Sequence, residues 1–426
     1  MFKVLVIAYY YPPLGLSGVQ RTLKFTKYLK DFGWEPTVLT TGKIGYFAYD
    51  ESLLKEAEDA GVTIVRTEAF DPNSLLKSKG EVKMPSNFWM KVLSRISKTF
   101  FIPDNKIRWS KKAAEDARRL LSEKKFDAIY ISVPPFSAIT PILQIKEIFH
   151  IPLFVDYRDA WIDNQFSFYP TPYHKYKNKK LESNALRRVD GIITVNRLIK
   201  ENLLKNYQFL KFDSVDIIRH GYDLQDFEDI QPVVRDTNKM VIAYSGSFYE
   251  DITPYYFFKG FKKLMQENPD IASNIELKFI GHFKREYKNL IKKLKIERFV
   301  RLTGYLEHKQ SVREILSSDV LWVMLPNEEK MKVVTPGKLF EYFATRKPVI
   351  ASLPDGAAKI NAEEYKAAFI TKPDDIAEIK ETLLKVHKLF LENNLPKPDE
   401  EFIENLNRTN QTEQLAKIFQ FYLKAE

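Results

Sequence analysis

The sequence predicts an α/β protein made of two doubly wound parallel sheets, and three observations predict it. Short runs rich in β-branched and aromatic residues recur along the chain, each followed by a longer segment with helical spacing. That alternation is the pattern of parallel strands covered by helices. The runs fall into two consecutive series, and a polar stretch from Asp223 to Lys239, holding Pro232, lies between them.

Taken in order, the first series is Lys3 to Ala8, Pro36 to Thr40, Val62 to Arg66, Asp127 to Ser132, Pro152 to Tyr157, Gly191 to Val195 and Val215 to Ile218. The second is Met240 to Ser245, Glu276 to Gly281, Val300 to Thr303, Val320 to Leu325, Pro348 to Ser352 and Ala367 to Ile370. The last segment, Asn405 to Glu426, reads as a helix with Leu415, Ile418, Phe419 and Leu423 on one stripe. At 426 residues the chain is roughly three times the ~150 typical of one domain. The expected division is therefore a domain over 1–225, a second over 226–404, and a closing helix over 405–426.

Composition narrows the class. Apolar residues make up 44% and charged residues 29%, which supports packed cores and excludes a disordered or collagenous chain. There is no Cys, so disulfides, thiolate catalysis, Cys-bound zinc and iron–sulfur clusters are all excluded. This fits a reducing compartment, and the expected location is the cytoplasm. The apolar run Phe2 to Ala8 is too short for a signal peptide, and Tyr9 to Pro13 lacks a small-residue cleavage site. No window reaches the ~18 to 20 apolar residues that span a bilayer, so the expected membrane contact is peripheral.

Net charge is +10, and the segment 77–125 carries fourteen basic against five acidic side chains. Within it, Phe88 or Trp89, Val92, Ile96 and Phe100 fall near one helical face, with Lys91, Arg95 and Lys98 off that face. Such a stretch suits an anionic leaflet, each base contributing ~1 kcal/mol. It equally suits a core-facing helix with a solvated basic side. No nucleic-acid recognition motif accompanies the charge.

Two strand-to-helix turns have the chemistry of anion sites. After the first strand the chain runs Gly15-Leu16-Ser17-Gly18-Val19-Gln20-Arg21, where Ser17 and Gln20 form a candidate capping box and the glycines allow close backbone approach. A turn that needs glycine for its own geometry would look the same. In the second series Thr335-Pro336-Gly337-Lys338 precedes Leu339, Phe340 and Glu341. Thr335 suits the N-cap and Pro336 the first helical position. Gly337 and Lys338 then place an unobstructed amide and a cation at the helix start, a seat for a diphosphate. Glu341, one turn on, suits the vicinal hydroxyls of a ribose. A well-capped surface helix with an ordinary Glu is the plainer account. Asp-x-Asp, H-E-x-x-H, G-x-x-x-x-G-K-[ST] and G-x-G-x-x-G are all absent.

The chain resembles the family 4 glycosyltransferases. The likeness rests on the opening strand with Pro12-Pro13 and Ser17-Gly18, on Asp156-Tyr157-Arg158-Asp159-Ala160-Trp161, on His220-Gly221-Tyr222-Asp223, on Tyr244-Ser245-Gly246-Ser247, and on Thr335 to Tyr342. This resemblance implies a GT-B fold, two Rossmann-like domains facing across a cleft that holds a nucleotide sugar, with the last helix crossing back to the first domain. It implies that the second domain binds the nucleotide diphosphate and the first the acceptor.

Two departures stand out. Val333 occupies the place where relatives carry a Glu on the donor sugar, with Glu328 and Glu329 out of register. The Arg and Lys usual after the first strand of the second domain are missing, since Gly246 is followed by Ser247, Phe248 and Tyr249. The resemblance therefore directs attention to Ser17, Gly18, Gly246, Ser247, Thr335, Pro336, Gly337, Lys338 and Glu341 for donor binding. Arg158, with Asp159 or Asp156 orienting it or accepting from the acceptor, is the catalytic candidate. The alternative for the last group is a buried Arg–Asp pair that orders a loop. His220 is a secondary candidate.

The expected activity is retaining transfer of a sugar from a nucleotide diphosphate sugar to a glycan or lipid-linked acceptor in cell-surface polysaccharide synthesis, without a metal or other cofactor. An epimerase of the same architecture and a non-catalytic glycan-binding subunit are the competing readings.

Overall fold

The computed structural model describes every residue except 16, 47–48, 69–86, 163, 165–166, 229, 233–237, 249–250 and 425–426, with the side chains of 17, 87–91 and 424 also outside the description. Its first sheet has seven strands: β1 Phe2–Ile7, β2 Trp34–Thr41, β3 Thr63–Thr67, β4 Ala128–Val133, β5 Leu153–Tyr157, β6 Gly191–Thr194 and β7 Val215–Ile217. The second has six: β8 Met240–Ser245, β9 Ile275–Ile280, β10 Val300–Gly304, β11 Val320–Met324, β12 Val349–Ser352 and β13 Ala368–Thr371. Each expected strand is present, with ends displaced by two residues or fewer, the usual fraying of element boundaries.

The first sheet runs β3-β2-β1-β4-β5-β6-β7 and the second β10-β9-β8-β11-β12-β13, with every pairing parallel. Strand order therefore reverses once in each sheet, between β1 and β4 and between β8 and β11. In open α/β sheets the crevice outside the carboxyl ends of strands at such a reversal is where ligands bind.

The chain divides into two compact units, one of Met1–His220 with Arg408–Glu426, the other of Gly221–Asn407. In the first unit the helix Arg408–Lys424 packs on the helix Ser17–Tyr28. Phe419 anchors it, its ring centroid 4.6 Å from Phe154 and 5.1 Å from Trp34. Leu415 and Phe419 are fully buried, as the expected stripe requires, whereas Ile418 is half-buried. In the second unit Trp322 stacks on Phe257 at 4.0 Å and Phe343 on Tyr365 at 4.2 Å, all four within the buried core of that unit. Tyr222 donates its amide to Leu406 and bridges Asn407, so both chain ends of this unit close side by side.

The basic segment forms two helices, Asn87–Phe100 and Ile107–Glu123. The second buries Trp109, Ala113, Ala117 and Leu120. Of the described apolar side chains of the first, Val92 is half-buried, whereas Leu93, Ile96 and Phe100 are 55%, 51% and 76% exposed. The reading of that stretch as a core-facing helix is thereby corrected for its described side chains. Phe88, Trp89 and Lys91 lie outside them, as do Lys77, Lys79 and Lys83.

Candidate functional site

In the second unit the candidate donor residues converge on the β8–β11 reversal. β8 ends at Ser245, and Gly246 turns the chain with φ +116°. Its amide donates to Ile280 at 2.7 Å, while Gly281, φ +121°, donates to Gly304 at 2.8 Å. The two turns are stacked so closely that a Cβ on Gly281 would lie 2.9 Å from the Gly246 carbonyl oxygen. Side chains are excluded here by both conformation and space.

The helix Gly337–Ala344 starts beside this turn. Pro336, not Thr335, is its N-cap, so the expected register is corrected by one residue: Pro336 is extended at ψ 132° and its carbonyl accepts from Leu339. Thr335 is buried just before it. The amides of Gly337 and Lys338 have no acceptor among the described residues, as the first turn of a helix dictates.

Lys338 donates from Nζ to the Tyr244 hydroxyl at 2.7 Å and lies 3.9 Å from the centre of that ring. Tyr244 in turn donates to the Ser247 carbonyl at 3.4 Å. A Cβ on Gly246 would come within 2.8 Å of the same Nζ. Part of the Lys338 side chain meets solvent, yet its ammonium end sits over an aromatic ring and against a glycine turn. Burial pushes its pKa down to about 7, and Glu341 only partly opposes this. The buried Tyr342 hydroxyl accepts from the Ser245 amide at 2.7 Å, tying the helix to the end of β8.

Glu341 is half-buried, and its Oε1 lies 3.2 Å from Nε2 of His308, whose Nδ1 is 4.0 Å from Asp226. His308 opens the helix His308–Leu316. Sequence reasoning did not name His308, and it named Tyr244 and Tyr342 only within motifs, with no role for either. Their partners lie 33 to 97 positions away, beyond the reach of a local pattern. Glu328 and Glu329 pair instead with Lys330 and Lys332 at 3.1 and 2.7 Å, and Val333 is half-buried in the place between them and the helix.

In the first unit Arg158 follows β5 and reaches across the β1–β4 reversal. Its guanidinium donates to three main-chain carbonyls, those of Gly18, Val133 (3.3 Å) and Pro134 (2.8 Å). No carboxylate is within ion-pair distance of it among the described residues. Gly18 is exposed in the first turn of the helix Ser17–Tyr28, and of Ser17 the position in that helix is described.

The expected pairing of Asp156 with Arg158 is not formed. Arg21 takes Asp156 in a two-pronged ion pair, with both bonds 2.8 Å, and Tyr130 donates to the same carboxylate at 2.7 Å. Arg21 and Asp156 are 1% and 0% exposed. An interior carboxylate with both oxygens occupied orders the carboxyl edge of the sheet and has no face for substrate, which corrects its assignment as a catalytic group. Asp159 is half-buried on the wall of a cavity that also includes Tyr10, Phe136 and Trp161. His220 is held well below its ordinary pKa by burial and by the positive charges of Arg21, Arg408 and Arg158.

Two protein families match the chain. The family described as glycosyl transferases group 1 matches residues 225–407, and the glycosyltransferase family 4 matches residues 17–226. A search among curated proteins found no match. Among solved structures, the Anabaena HepE protein in complex with UDP aligns over 99% of this chain and 100% of its own, at TM-score 0.63 and 12% identity. Sucrose-phosphate synthase from Thermosynechococcus elongatus aligns over 100% of both chains at TM-score 0.65 and 12% identity. A lipopolysaccharide outer core galactosyltransferase aligns over 99% of both at TM-score 0.59 and 13% identity. At such identities the likeness speaks for the fold.

Proposed function

The chain belongs to the family 4 glycosyltransferases of GT-B fold, and from that premise we propose that it moves a sugar from a nucleoside diphosphate donor to a glycan or lipid-linked acceptor in cell-surface polysaccharide synthesis. The observation that carries the donor half is the amino end of the helix Gly337–Ala344. Two open amides and the Lys338 cation there adjoin a left-handed glycine turn at the strand-order reversal. A diphosphate bound there replaces the solvent those groups now meet and restores the charge on Lys338. Glu341, oriented by His308, accepts from the ribose hydroxyls. Similar folds that carry UDP or UDP-glucose support a nucleotide-sugar donor.

Transfer in this reading is driven by neutralising the departing diphosphate through amides, the helix dipole and Lys338, so a bound metal is not required. Arg158 is the catalytic candidate of the first unit. Five N–H groups make up a guanidinium, three are given to carbonyls, and two remain. A guanidinium is a poor proton carrier, so its role is electrostatic. Departure and attack on one face would retain the anomeric configuration. The first unit holds the acceptor, with Asp159 accepting from its hydroxyl.

A peripheral seat on the inner leaflet completes the reading. It rests on the exposed Leu93, Ile96 and Phe100 of the helix Asn87–Phe100, with Arg95 and Lys98 on the same helix. No helix among the described residues is long and apolar enough to cross a membrane.

The test is calorimetric titration with UDP-, GDP-, ADP- and dTDP-sugars, followed by product analysis with lipid-linked and glycan acceptors. Saturable binding of one donor and acceptor-dependent release of its nucleoside diphosphate are expected, unchanged by a chelator. Absence of binding by every donor would refute the proposal, and conversion of a donor with no acceptor present would indicate an epimerase.

A further inference from the structure

We propose that a basic cleft on the outer side of the first unit, along the helix Pro172–Leu186, binds an acidic glycan, a saccharide chain whose rings carry carboxylates. The inference deepens the transferase reading above, on which it rests for the role of that glycan as acceptor or product. The cleft has a volume of about 630 Å³, within the range of ligand sites. One wall is the exposed face of that helix from Tyr176 to the Arg187 that follows it, and the other is Asn206 to Phe209, at the end of the helix Arg197–Asn206. Both helices run back from the carboxyl edge of the sheet to begin the next strand, β6 or β7. Their closing turns therefore lie toward the amino edge, away from the β1–β4 reversal where Arg158 sits.

Three cations line the cleft and no carboxylate does. Lys179 and Lys180 are exposed, and their ammonium groups have no ion pair or hydrogen bond among the described residues. Arg187 lays its guanidinium on the Phe209 ring, 3.7 Å from the centre, and its side-chain N–H groups have no acceptor among the described residues. A guanidinium held on a ring face keeps its fork for a carboxylate. Glu182, the one acid of the helix, faces inward: it is 2% exposed and accepts from the Tyr207 hydroxyl at 2.6 Å.

The spacing of these groups selects a chain over a single ion. Seven or eight residues separate the lysines from Arg187, about 10 to 12 Å along a helix. Arg187 cannot lean toward them without leaving Phe209, so the ligand must carry anionic groups apart from one another. Neutral groups fill the interval. The side-chain amides of Asn184 and Gln208 have no partner among the described residues, and Asn206 gives an N–H to the Asn202 carbonyl at 2.9 Å while its own carbonyl oxygen accepts nothing there. Tyr176 is 62% exposed and has no ring partner among the described residues. A polyphosphate would use the cations alone. A flat leaflet would not enter a concave cleft lined by amides, and a nucleic acid strand would find one open aromatic face, since Arg187 lies over Phe209. An acidic saccharide uses every group: carboxylates on the cations, hydroxyls on the amides and a ring face on Tyr176.

The test is calorimetry on the full chain at near-physiological salt with a galacturonate hexamer, alongside neutral maltohexaose, tripolyphosphate, a thymidine oligonucleotide and phosphatidylglycerol vesicles. The galacturonate should bind saturably, with affinity about tenfold weaker in Arg187→Gln and in the double variant Lys179→Gln, Lys180→Gln. These positions are exposed, so the fold survives the changes. Lys124→Gln with Lys125→Gln removes the same charge from an exposed site outside the cleft and should leave galacturonate binding unchanged. The inference is overturned if the galacturonate does not bind, if the cleft substitutions leave its affinity unaltered, or if the Lys124 and Lys125 changes weaken it equally. It is also overturned if maltohexaose binds as well as the galacturonate, or if tripolyphosphate, the oligonucleotide or the vesicles bind more tightly in a manner lost with Arg187. Failure of the unsubstituted protein to bind any nucleotide would refute the donor reading alone, and the galacturonate result would still decide this one.

Discussion

The proposed donor site makes binding a proton-linked event at Lys338. In the free protein its pKa is pushed down to about 7 by burial of the ammonium end over Tyr244. A diphosphate beside it returns the group toward the ordinary lysine value of ~10.4. The sign follows directly. The donor binds the protonated form, so affinity is full at about one pH unit or more below the pKa of the free protein and is lost as pH rises through it. At pH 7 about half of the molecules carry the proton, and at pH 9 about one in a hundred, so affinity should fall roughly fiftyfold between them. UDP-glucose is a suitable probe because its diphosphate is a diester that does not titrate in this window. Calorimetry at pH 9 in two buffers of different ionisation enthalpy should count close to one proton taken up per donor bound. Lys338→Met should flatten the pH profile and abolish that uptake. The reasoning is refuted if affinity is level from pH 7 to 9, or if the uptake survives the substitution. Without ligand the same depressed pKa has the opposite consequence. The unfolded chain binds more protons between pH 7 and 10.4, so apo stability should rise with pH across that window.

Three further outcomes are expected. Glu341→Gln should weaken nucleotide binding by about 1 to 3 kcal/mol, since a carboxylate that holds hydroxyls is replaced by a neutral amide; an unchanged dissociation constant would remove Glu341 from the ribose. Gly281→Ala places a Cβ 2.9 Å from the Gly246 carbonyl at φ +121° and should cost about 1 to 3 kcal/mol in urea unfolding, with weaker donor binding. Gly18→Ala, whose Cβ would sit 3.5 Å from Arg158, should leave stability within ~0.5 kcal/mol, and equal losses at the two glycines would show that the stacked turns are not special. Asp156→Asn leaves the buried Arg21 without a counter-charge and should destabilise the first unit by about 3 to 5 kcal/mol by thermal or chemical unfolding, where a loss under 1 kcal/mol would contradict the interior network.

The strands were legible because a parallel sheet buried on both faces needs unbroken apolar runs, and such runs stand out against helical spacing. Tyr157 and Phe154 belong to such a run, and both are buried in β5. The turn before Gly337 was legible for a different reason: Pro, Gly and Lys each have a local preference there, although Pro336 proved to be the cap itself. Partner choice was not legible. Nearness along the chain suggested Arg158 for Asp156, but strands bring Arg21 to it across 135 positions.

Both sheets reverse strand order once, and at each reversal the chain has placed a cation without a carboxylate in ion-pair distance among the described residues. Arg158 is held there by carbonyls from the loops after β1 and β4, the two strands that flank the reversal. Lys338 is held by Tyr244 at the end of β8 and covered by Gly246. The two devices differ in what they permit. Arginine stays charged whatever its surroundings, so Arg158 is a permanent field at the crevice of its unit. Lysine loses its proton when desolvated, so Lys338 acquires full charge only when an anion arrives. A transferase needs both properties. It must hold a diphosphate firmly enough to make it a good leaving group, and it must release the product afterwards. In the proposed reading a cation whose charge is restored by the ligand and relaxes on its departure lowers the cost of that second step, so the proton count on Lys338 would bear on turnover as well as on affinity.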